Sequence, residues 1–325
     1  MIHALARLLG TATATALATL ACAWLAPRIG WTDTPHAADA ARKRQRRPVP
    51  AVGGVALLLG LAWAPGTPWQ GIAREGSGSE LWGHWLPAPV WGGATLLLLL
   101  AVGTLDDRAG LRAGQKALAL LAALLPLACG AWSEHGALAA LALLALGFAA
   151  LNLLNTFDNA DGALASLCAL GFGGAAVHVS AACLGFLPLN LDAARARNRS
   201  SDAPSAYLGD AGAFVLAYLV LVHPRSAGVL VLPCFDLLRL ALQRWRVGSR
   251  PWIGDRRHLA HRLEARGLSR LAVAVSQCVI AAPACVLGGF SGARGDARLA
   301  FLGVLATGLL FGLALRAAPA RSAGA

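Results

Sequence analysis

Two adjacent aspartates stand where an apolar segment of the chain ends. Asp106 and Asp107 directly follow the run 94–105, in a chain that has only 16 acidic residues. Neighbouring carboxylates repel each other, and at a membrane boundary one of them is hard to ionise unless a cation lies between them. The pair therefore suits metal binding or proton abstraction. A solvated pair near the start of a helix is the alternative.

A second polar group lies at the end of an apolar stretch and comprises Asn152, Asn155, Asp158 and Asp161, spaced by three. On a helix such positions drift slowly around one face, so all these side chains can point into one cavity. Burying amides and carboxylates together is costly without a ligand or an ion, and oxygen ligands favour a hard cation such as magnesium. A purely structural polar helix end is the alternative.

A third group is the single carboxylate Asp210, which begins another apolar segment within the sequence Gly-Asp-Ala-Gly at residues 209–212. Capping of a helix N-terminus is the common explanation for an aspartate at such a place. Capping does not exclude the binding of a metal, so both interpretations stay open.

The fourth group lies in a basic loop after Pro251 and comprises Asp255, Arg256, Arg257, His258 and His261. Histidines three apart among arginines can meet a pyrophosphate on one helical face, because guanidinium groups supply paired donors. A solvated basic loop is the alternative. Together, the four groups indicate metal-assisted phosphoryl transfer to an amphipathic acceptor. The sequence has no GxxxxGK[ST] motif, which disfavours an ATP-driven pump.

The elements that must position these groups are membrane-spanning helices. The chain has 325 residues, is 57% hydrophobic and 14% charged, and has a mean hydropathy of +0.60, whereas soluble domains carry roughly 25% charged residues. We predict one integral membrane domain over residues 1–325, an all-α transmembrane helix bundle. The apolar runs predict spans at 5–26, 51–65, 88–105, 116–132, 137–155, 163–188, 211–223, 226–243, 270–289 and 299–315.

Two further features fit this class. The first apolar run has only Arg7 as a charged start, so we interpret it as a span and not as a signal peptide. The seven cysteines fall in or beside apolar runs without CxxC spacing. This pattern argues against a zinc site or a disulfide framework and favours packing.

Positive charge is concentrated in alternate breaks between the spans. The net charge is +12, and arginine and lysine cluster at 42–47, 108–116, 195–199 and 244–270. The positive-inside rule predicts cytoplasmic loops near 27–50, 106–115, 156–162, 189–210 and 244–269. Topology and attraction for anionic lipid and nucleotide substrates account for the charge, so we expect no nucleic acid partner. Tryptophans in the loop between residues 63 and 91 suit the opposite membrane interface.

One segment does not fit this alternation. Residues 163–188 are long enough for one crossing, yet both flanks are expected in the cytoplasm. Either two short, tilted or re-entrant pieces share these residues, or one flank is misplaced.

In their order along the chain, these groups resemble the polyprenyl-phosphate N-acetylhexosamine-1-phosphate transferases. This membrane family includes the lipid I-forming translocase and the enzymes that initiate O-antigen and teichoic acid synthesis. The short loop after Asp255 is closer to the latter enzymes. The resemblance runs from Asp33 to about Ser269, and it also includes Gly53-Gly54, Lys116, Asn190 and Pro233-x-x-Asp236.

The resemblance implies a reaction and its partners. A sugar 1-phosphate, such as N-acetylhexosamine 1-phosphate, would pass from a UDP-sugar to undecaprenyl or another polyprenyl phosphate, with release of UMP. The implied cofactor is Mg²⁺, with Mn²⁺ as an alternative. The implied setting is the bacterial inner membrane, with a cytoplasmic site and about 10 to 11 spans. A homodimer is a further expectation, although the sequence does not determine the oligomeric state.

The resemblance also implies roles for individual residues. Asn155 and Asp210 resemble the magnesium ligands. Asp106 and Asp107 would deprotonate or position the lipid phosphate, and Lys116 would contact a phosphate. Asp158 and Asp161 would orient the nucleotide and the metal. His258 and His261 would hold the pyrophosphate or the sugar, with Asn152, Arg256 and Arg257 as further substrate contacts.

Departures from the family pattern leave other interpretations open. Ala260 stands where the middle histidine of His-x-His-His is usual, and residues 163–188 offer about one helix where the family has two. One alternative is a non-catalytic relative that binds polyprenyl phosphate. Another is a transporter that uses intramembrane carboxylates, although no repeat of broken helices supports it.

Overall fold

The computed structural model describes residues 2–33, 48–63, 89–191, 204–248 and 257–318, and most of them are helical. The helices are α1 (Ile2–Leu25), α2 (Gly53–Ala62), α3 (Pro89–Ala109), α4 (Ala113–His135), α5 (Ala137–Phe157), α6 (Ala163–Gly171), α7 (Val177–Leu191), α8 (Gly209–Val222), α9 (Val231–Arg246), α10 (Leu259–Glu264), α11 (Arg270–Arg294) and α12 (Ala297–Ala317). Short 3₁₀ helices, Ala26–Ile29 and Pro224–Leu230, follow α1 and precede α9. Within these ranges the only β-structure is two isolated bridges, so the predicted all-α class is confirmed.

The apolar runs form helices because lipid offers no partner for backbone N–H and C=O groups. Seven helical segments in the described ranges are long and apolar enough to cross a membrane: Leu5–Ile29, Val90–Ala109, Ala113–His135, Ala137–Phe157, Pro224–Arg246, Arg270–Arg294 and Ala297–Ala317. The apolar helices α2, α7 and α8 are shorter, with 10, 15 and 14 residues. The chain is therefore a multi-pass membrane protein, as predicted.

The segment that did not fit the alternation forms a hairpin of two short helices. α6 has nine residues, and at 1.5 Å per residue it is only about 14 Å long, roughly half the thickness of a bilayer core. The backbone N–H of Gly162, just before α6, donates to the side-chain oxygen of Asn190 near the end of α7 at 2.8 Å. Both ends of the hairpin therefore lie on one face. Of the two explanations offered by the sequence, two short pieces is the correct one.

α8 is the buried centre of the bundle. Residues 211–220 are all buried, and α2, α3 and α5 pack around them. A Cβ on Gly103 would lie 2.3 Å from the Cα of Ala211, and one on Gly54 would lie 2.7 Å from the carbonyl carbon of Ala211. Glycine thus permits backbone-to-backbone contact between helices. This packing brings the end of α3, with Asp106 and Asp107, against the start of α8.

Backbone bridges close the same face of the bundle. Asp33 pairs with Val49, and Ala51 pairs with Tyr207. The N–H of Tyr207 donates to the carbonyl of Pro50 at 2.8 Å. The segment that leads into α8 is thereby held against the start of α2, which fixes where α8 begins.

Candidate active site

Lys116 joins two carboxylates that come from different helices. Its ammonium nitrogen lies 2.7 Å from Oδ2 of Asp106 and 2.6 Å from Oδ2 of Asp210. Oδ1 of Asp106 also accepts a hydrogen bond from the backbone N–H of Leu111 at 2.6 Å. The Lys116 ammonium is therefore a cation that neutralises Asp106, as expected for a carboxylate pair. It links the ends of α3 and α8, however, and does not lie between Asp106 and Asp107.

Asp107 caps the start of α8 from another helix. Its Oδ1 accepts from the backbone N–H of Asp210 at 2.7 Å, and its Oδ2 lies 3.2 Å from the N–H of Ala211. Gly209 makes room for it, because a Cβ there would lie 2.6 Å from Oδ2 of Asp107. The N-cap explanation for Asp210 is therefore wrong, since Asp107 is the capping carboxylate. A solvated pair is also wrong, because Asp106 is buried.

The polar residues at the end of α5 differ in their partners. Asn152 donates to the carbonyl of Phe148 at 2.8 Å, so its amide serves its own helix. Asn155 and Asp158 are half-buried. Within the described ranges, neither of these two side chains has a hydrogen-bond partner. Their oxygens are therefore free to bind a ligand.

Asp158 connects this group electrostatically to the others. It ends α5 as the C-cap residue. Burial raises the pKa of its carboxyl well above the usual value, and the charges of Asp161, Asp210 and Asp107 raise it further. The aspartates from three separate stretches of sequence therefore belong to one acidic region.

Asp161 extends this region towards the start of α11. Its Oδ2 lies 2.8 Å from Nε of Arg270. Burial raises the pKa of Asp161 to about 6; the guanidinium of Arg270 acts against this rise, and the charge of Glu264 adds to it. Glu264 lies on α10, so the acidic region reaches the basic loop.

His258 is held by a buried carboxylate on α9. Nδ1 of His258 lies 2.9 Å from Oδ2 of Asp236, and both side chains are buried. Oδ1 of Asp236 accepts from Arg239 at 2.9 Å, and the N–H of Leu259 lies 3.2 Å from the same oxygen. Arg239 also donates to the carbonyl of Arg257 at 2.6 Å.

The other loop residues are placed less tightly. Nδ1 of His261 lies 3.1 Å from Oε2 of Glu264, one turn away on the same short helix. The ring centroids of His258 and His261 are 6.4 Å apart. Arg256 and Asp255 lie outside the described residues, so their predicted contacts stay predictions.

Some residues at the site carried no role in the sequence prediction. Asp236 and Asn190 entered it only as part of the resemblance, although a charged or amide side chain inside an apolar helix is itself a signal. Arg239 lies three residues after Asp236 on α9, a spacing that itself permits an ion pair. Arg270 gave no signal beyond general basic character, because its partner Asp161 is distant in sequence.

The donor set fits magnesium in its chemistry. In the described part of the chain, no three His, Cys, Asp or Glu side chains form a group that could hold a metal ion. Magnesium, however, commonly takes one or two protein oxygen ligands and completes its shell with substrate phosphates and water. Asp210 and the unpartnered oxygens of Asn155 and Asp158 are ligands of that kind.

Comparison with known proteins gives relatives of one kind. A decaprenyl-phosphate N-acetylglucosaminephosphotransferase of Mycolicibacterium smegmatis is 28% identical over 67% of this chain, and the match spans 65% of that relative, just under two thirds. An undecaprenyl-phosphate alpha-N-acetylglucosaminyl 1-phosphate transferase of Yersinia pestis is 24% identical over 75% of this chain and 72% of its own. A decaprenyl-phosphate N-acetylglucosaminephosphotransferase of Mycobacterium tuberculosis is 26% identical, over 74% and 70%. No family model matches the chain.

The resemblance predicted from the motifs is thus confirmed by relatives at low identity. The acidic groups, which are far apart in sequence, meet on one face of a helix bundle, and Glu264 and Arg270, which follow the histidines in sequence, interact with Asp161 there. Over two thirds to three quarters of its length, the chain is similar to the polyprenyl-phosphate N-acetylglucosamine-phosphotransferases.

Proposed function

We propose that the protein transfers N-acetylhexosamine 1-phosphate from a UDP-sugar to a polyprenyl phosphate, as the first membrane step of a cell-envelope glycan. The names of the relatives support the polyprenyl phosphate acceptor and the N-acetylglucosamine phosphate group. The observation that carries the proposal is the junction of Asp106, Lys116 and Asp210 at one end of an apolar bundle. A lipid phosphate and a water-soluble nucleotide can both reach such a place.

In the proposed reaction, an oxygen of the lipid phosphate attacks the β-phosphorus of the UDP-sugar. A new P–O bond forms there, the bond from the β-phosphorus to the bridging oxygen breaks, and UMP leaves. Phosphoryl transfer of this kind depends on alignment and charge neutralisation more than on covalent catalysis by the protein. The site offers both acidic and basic groups for that purpose.

The residues around Lys116 and Asp210 would have distinct roles at the lipid phosphate and the metal. Lys116 would neutralise a phosphate, and Asp106 beside it would accept a proton from the lipid phosphate. Asp107 would hold the start of α8 and so fix the direction of Asp210. Asn155 and Asp210 would hold magnesium, which can neutralise charge on the transferring phosphate and for which manganese can substitute.

The remaining groups would bind the donor. Asp158 and Asp161 would orient the nucleotide and the metal, while His258, His261 and Arg257 would face the pyrophosphate or the sugar. Arg256 and Asn152 would be further contacts. The amide of Asn152 is bonded to its own helix, so it must release the Phe148 carbonyl to bind a substrate.

We propose that the protein lies in the inner membrane of a bacterium and that its site faces the cytoplasm. In the described residues, helix ends at the site face carry Arg108, Arg112, Lys116, Arg246, Arg266 and Arg270, whereas the opposite ends carry Arg7, Arg225, Arg294 and Arg298. This excess supports a cytoplasmic site face by the positive-inside rule. Cysteine accessibility at both faces in intact cells tests it. The predicted homodimer stays a prediction, which light scattering of the purified protein tests.

The transferase assay uses purified protein, undecaprenyl phosphate, Mg²⁺ and labelled UDP-N-acetylhexosamines. We expect release of UMP, loss of activity with EDTA, and recovery with Mg²⁺ or Mn²⁺. Asp107→Asn should lower the rate by at least about 100-fold. Its matched control is Asp296→Asn, because Asp296 also accepts a backbone N–H at a helix start but lies at the opposite end of α11 and α12. No turnover with any UDP-sugar would contradict the proposal.

A further inference from the structure

We propose that Asp236 is a positioning residue for the transfer reaction, which holds His258 by Nδ1 so that the ring offers only Nε2 to the substrate. The inference rests on the proposed function. It adds a residue to which neither the resemblance nor the relatives give a role.

Asp236 lies in a buried, apolar environment. It is 2% exposed within α9, among apolar residues of the helix, and a carboxylate in such a place is costly unless it is paired and hydrogen-bonded. Its partners are His258 Nδ1, the N–H of Leu259 and the guanidinium of Arg239. The buried carboxylate of Asp236 therefore binds the loop residues that lead into α10.

Asp236 and Arg239 act together on consecutive loop residues. Arg239 is bound to Oδ1 of Asp236 and also donates to the carbonyl of Arg257 at 2.6 Å. Three successive residues, 257 to 259, are thus fixed through the carboxylate and its guanidinium partner. The backbone at His258 is extended, and α10 begins directly after it. The position of the His258 imidazole therefore depends on the contacts of Asp236 and Arg239.

The two ring nitrogens of His258 differ in their surroundings. Nδ1 is taken by Asp236, whereas Nε2 has no hydrogen-bond partner among the described residues and is not fully enclosed. A phosphate oxygen accepts hydrogen bonds only, so His258 can bind it only through a protonated Nε2. Asp236 itself is too buried to touch the substrate, so its effect must pass through His258.

The tautomer of His258 is the direct readout. In ¹⁵N-histidine NMR of the detergent-solubilised protein, the His258 signal is the one absent from His258→Gln. We expect Nδ1 to carry the proton in the wild type and to lose this preference in Asp236→Asn. Glu264→Gln is the matched control, because it alters the carboxylate beside His261 and should leave the His258 signal unchanged. A wild-type His258 protonated only at Nε2 overturns the proposal, even if Asp236→Asn does not fold.

A double-mutant cycle separates positioning from general stabilisation. Asp236→Asn should lower kcat for UMP release by about 10- to 100-fold, the loss typical of partners that orient functional histidines. In the His258→Gln background, the same change should have little further effect. Equal losses in both backgrounds overturn the proposal, because they indicate a structural role. If no UDP-sugar is turned over, the proposed function fails, and the NMR result alone decides whether Asp236 sets the state of His258.

Discussion

The carboxylates of the site differ, residue by residue, in what neutralises them. Asp106 and Asp210 share the Lys116 ammonium, and Asp107 is held by two backbone N–H groups. Asp158, in contrast, has no hydrogen-bond partner among the described residues. An uncompensated carboxylate in a partly buried place is costly. A bound cation would therefore gain most from Asp158 and from the amide oxygen of its neighbour Asn155.

The raised pKa of Asp161 can be tested with a single substitution. Burial is the main reason that its pKa rises from 3.8 to about 6, so the folded protein binds this proton more tightly than the unfolded chain does. The stabilisation is fully present below the unfolded pKa and is lost as the pH rises through about 6. We predict that the always-neutral Asp161→Asn unfolds at a higher temperature than the wild type at pH 8, with a gain of at most about 3 kcal/mol.

That gain should stay constant well above pH 6 and shrink as the pH is lowered through about 6 towards the unfolded value of 3.8, in thermal denaturation of the detergent-solubilised protein. The transferase activity of Asp161→Asn should fall at every pH, because the Arg270 ion pair at 2.8 Å is lost. Asp296→Asn, which alters an exposed helix start, serves as the control. If the gain in stability of Asp161→Asn does not depend on pH, the prediction is wrong, because ionisation of Asp161 then does not destabilise the folded protein.

The identities of the site residues could be predicted more readily than their partners. Charged side chains such as Asp106, Asp158 and Asp210 stand out in a chain that is only 14% charged. The bonds that Lys116 and Asp107 make to the start of α8 depend on the close packing of α3 against α8. Hydrophobic periodicity gives the presence of a helix and not its neighbour, so these bonds could not be predicted.

Among the helices, the presence of the long spans was the property that sequence predicted best. Long spans such as α5 and α11 follow from apolar runs, because lipid leaves the backbone no other partner. The division of residues 163–188 into α6 and α7 was left open, since one long helix and two short ones can have the same composition. The division depends on Gly162 and Asn190, which meet only in the folded chain.

We therefore predict that Asn190 holds the α6–α7 hairpin in the position that aligns the site residues. It accepts from the N–H of Gly162 at 2.8 Å and donates to the carbonyl of Ala206 at 3.0 Å. Asn190→Ala leaves both backbone groups buried without a partner, at a cost of about 1–3 kcal/mol each. We expect a lower melting temperature and a loss of UMP release, because Asp161 and Asp210 flank these two contacts. Asn159→Ala is the control, since its amide donates only within its own turn; equal effects would contradict the prediction.

Across the whole molecule, the last helix is tied to the histidine loop. Nε of Arg262, on α10, donates to the carbonyl of Ala318 at 2.6 Å, and Nη2 donates to that of Leu315 at 2.9 Å. Carbonyls at a helix C-terminus lack partners within the helix, so the guanidinium satisfies the end of α12. The site thus depends on helices from both halves of the chain, and the sequence offered no sign of this link.

Arg262→Met keeps the aliphatic stem but removes every donor, so it isolates this link. We predict that α10 becomes more mobile and that the KM for the UDP-sugar rises by about 3- to 10-fold, roughly 1 kcal/mol, while the KM for the polyprenyl phosphate changes little. Hydrogen exchange of residues 257–268 and steady-state kinetics measure the two effects. Arg266→Met is the matched control, because Arg266 lies on the same loop with an exposed side chain. If the two variants behave alike, α12 does not position the histidine loop, and the bond to Ala318 only closes the end of a helix.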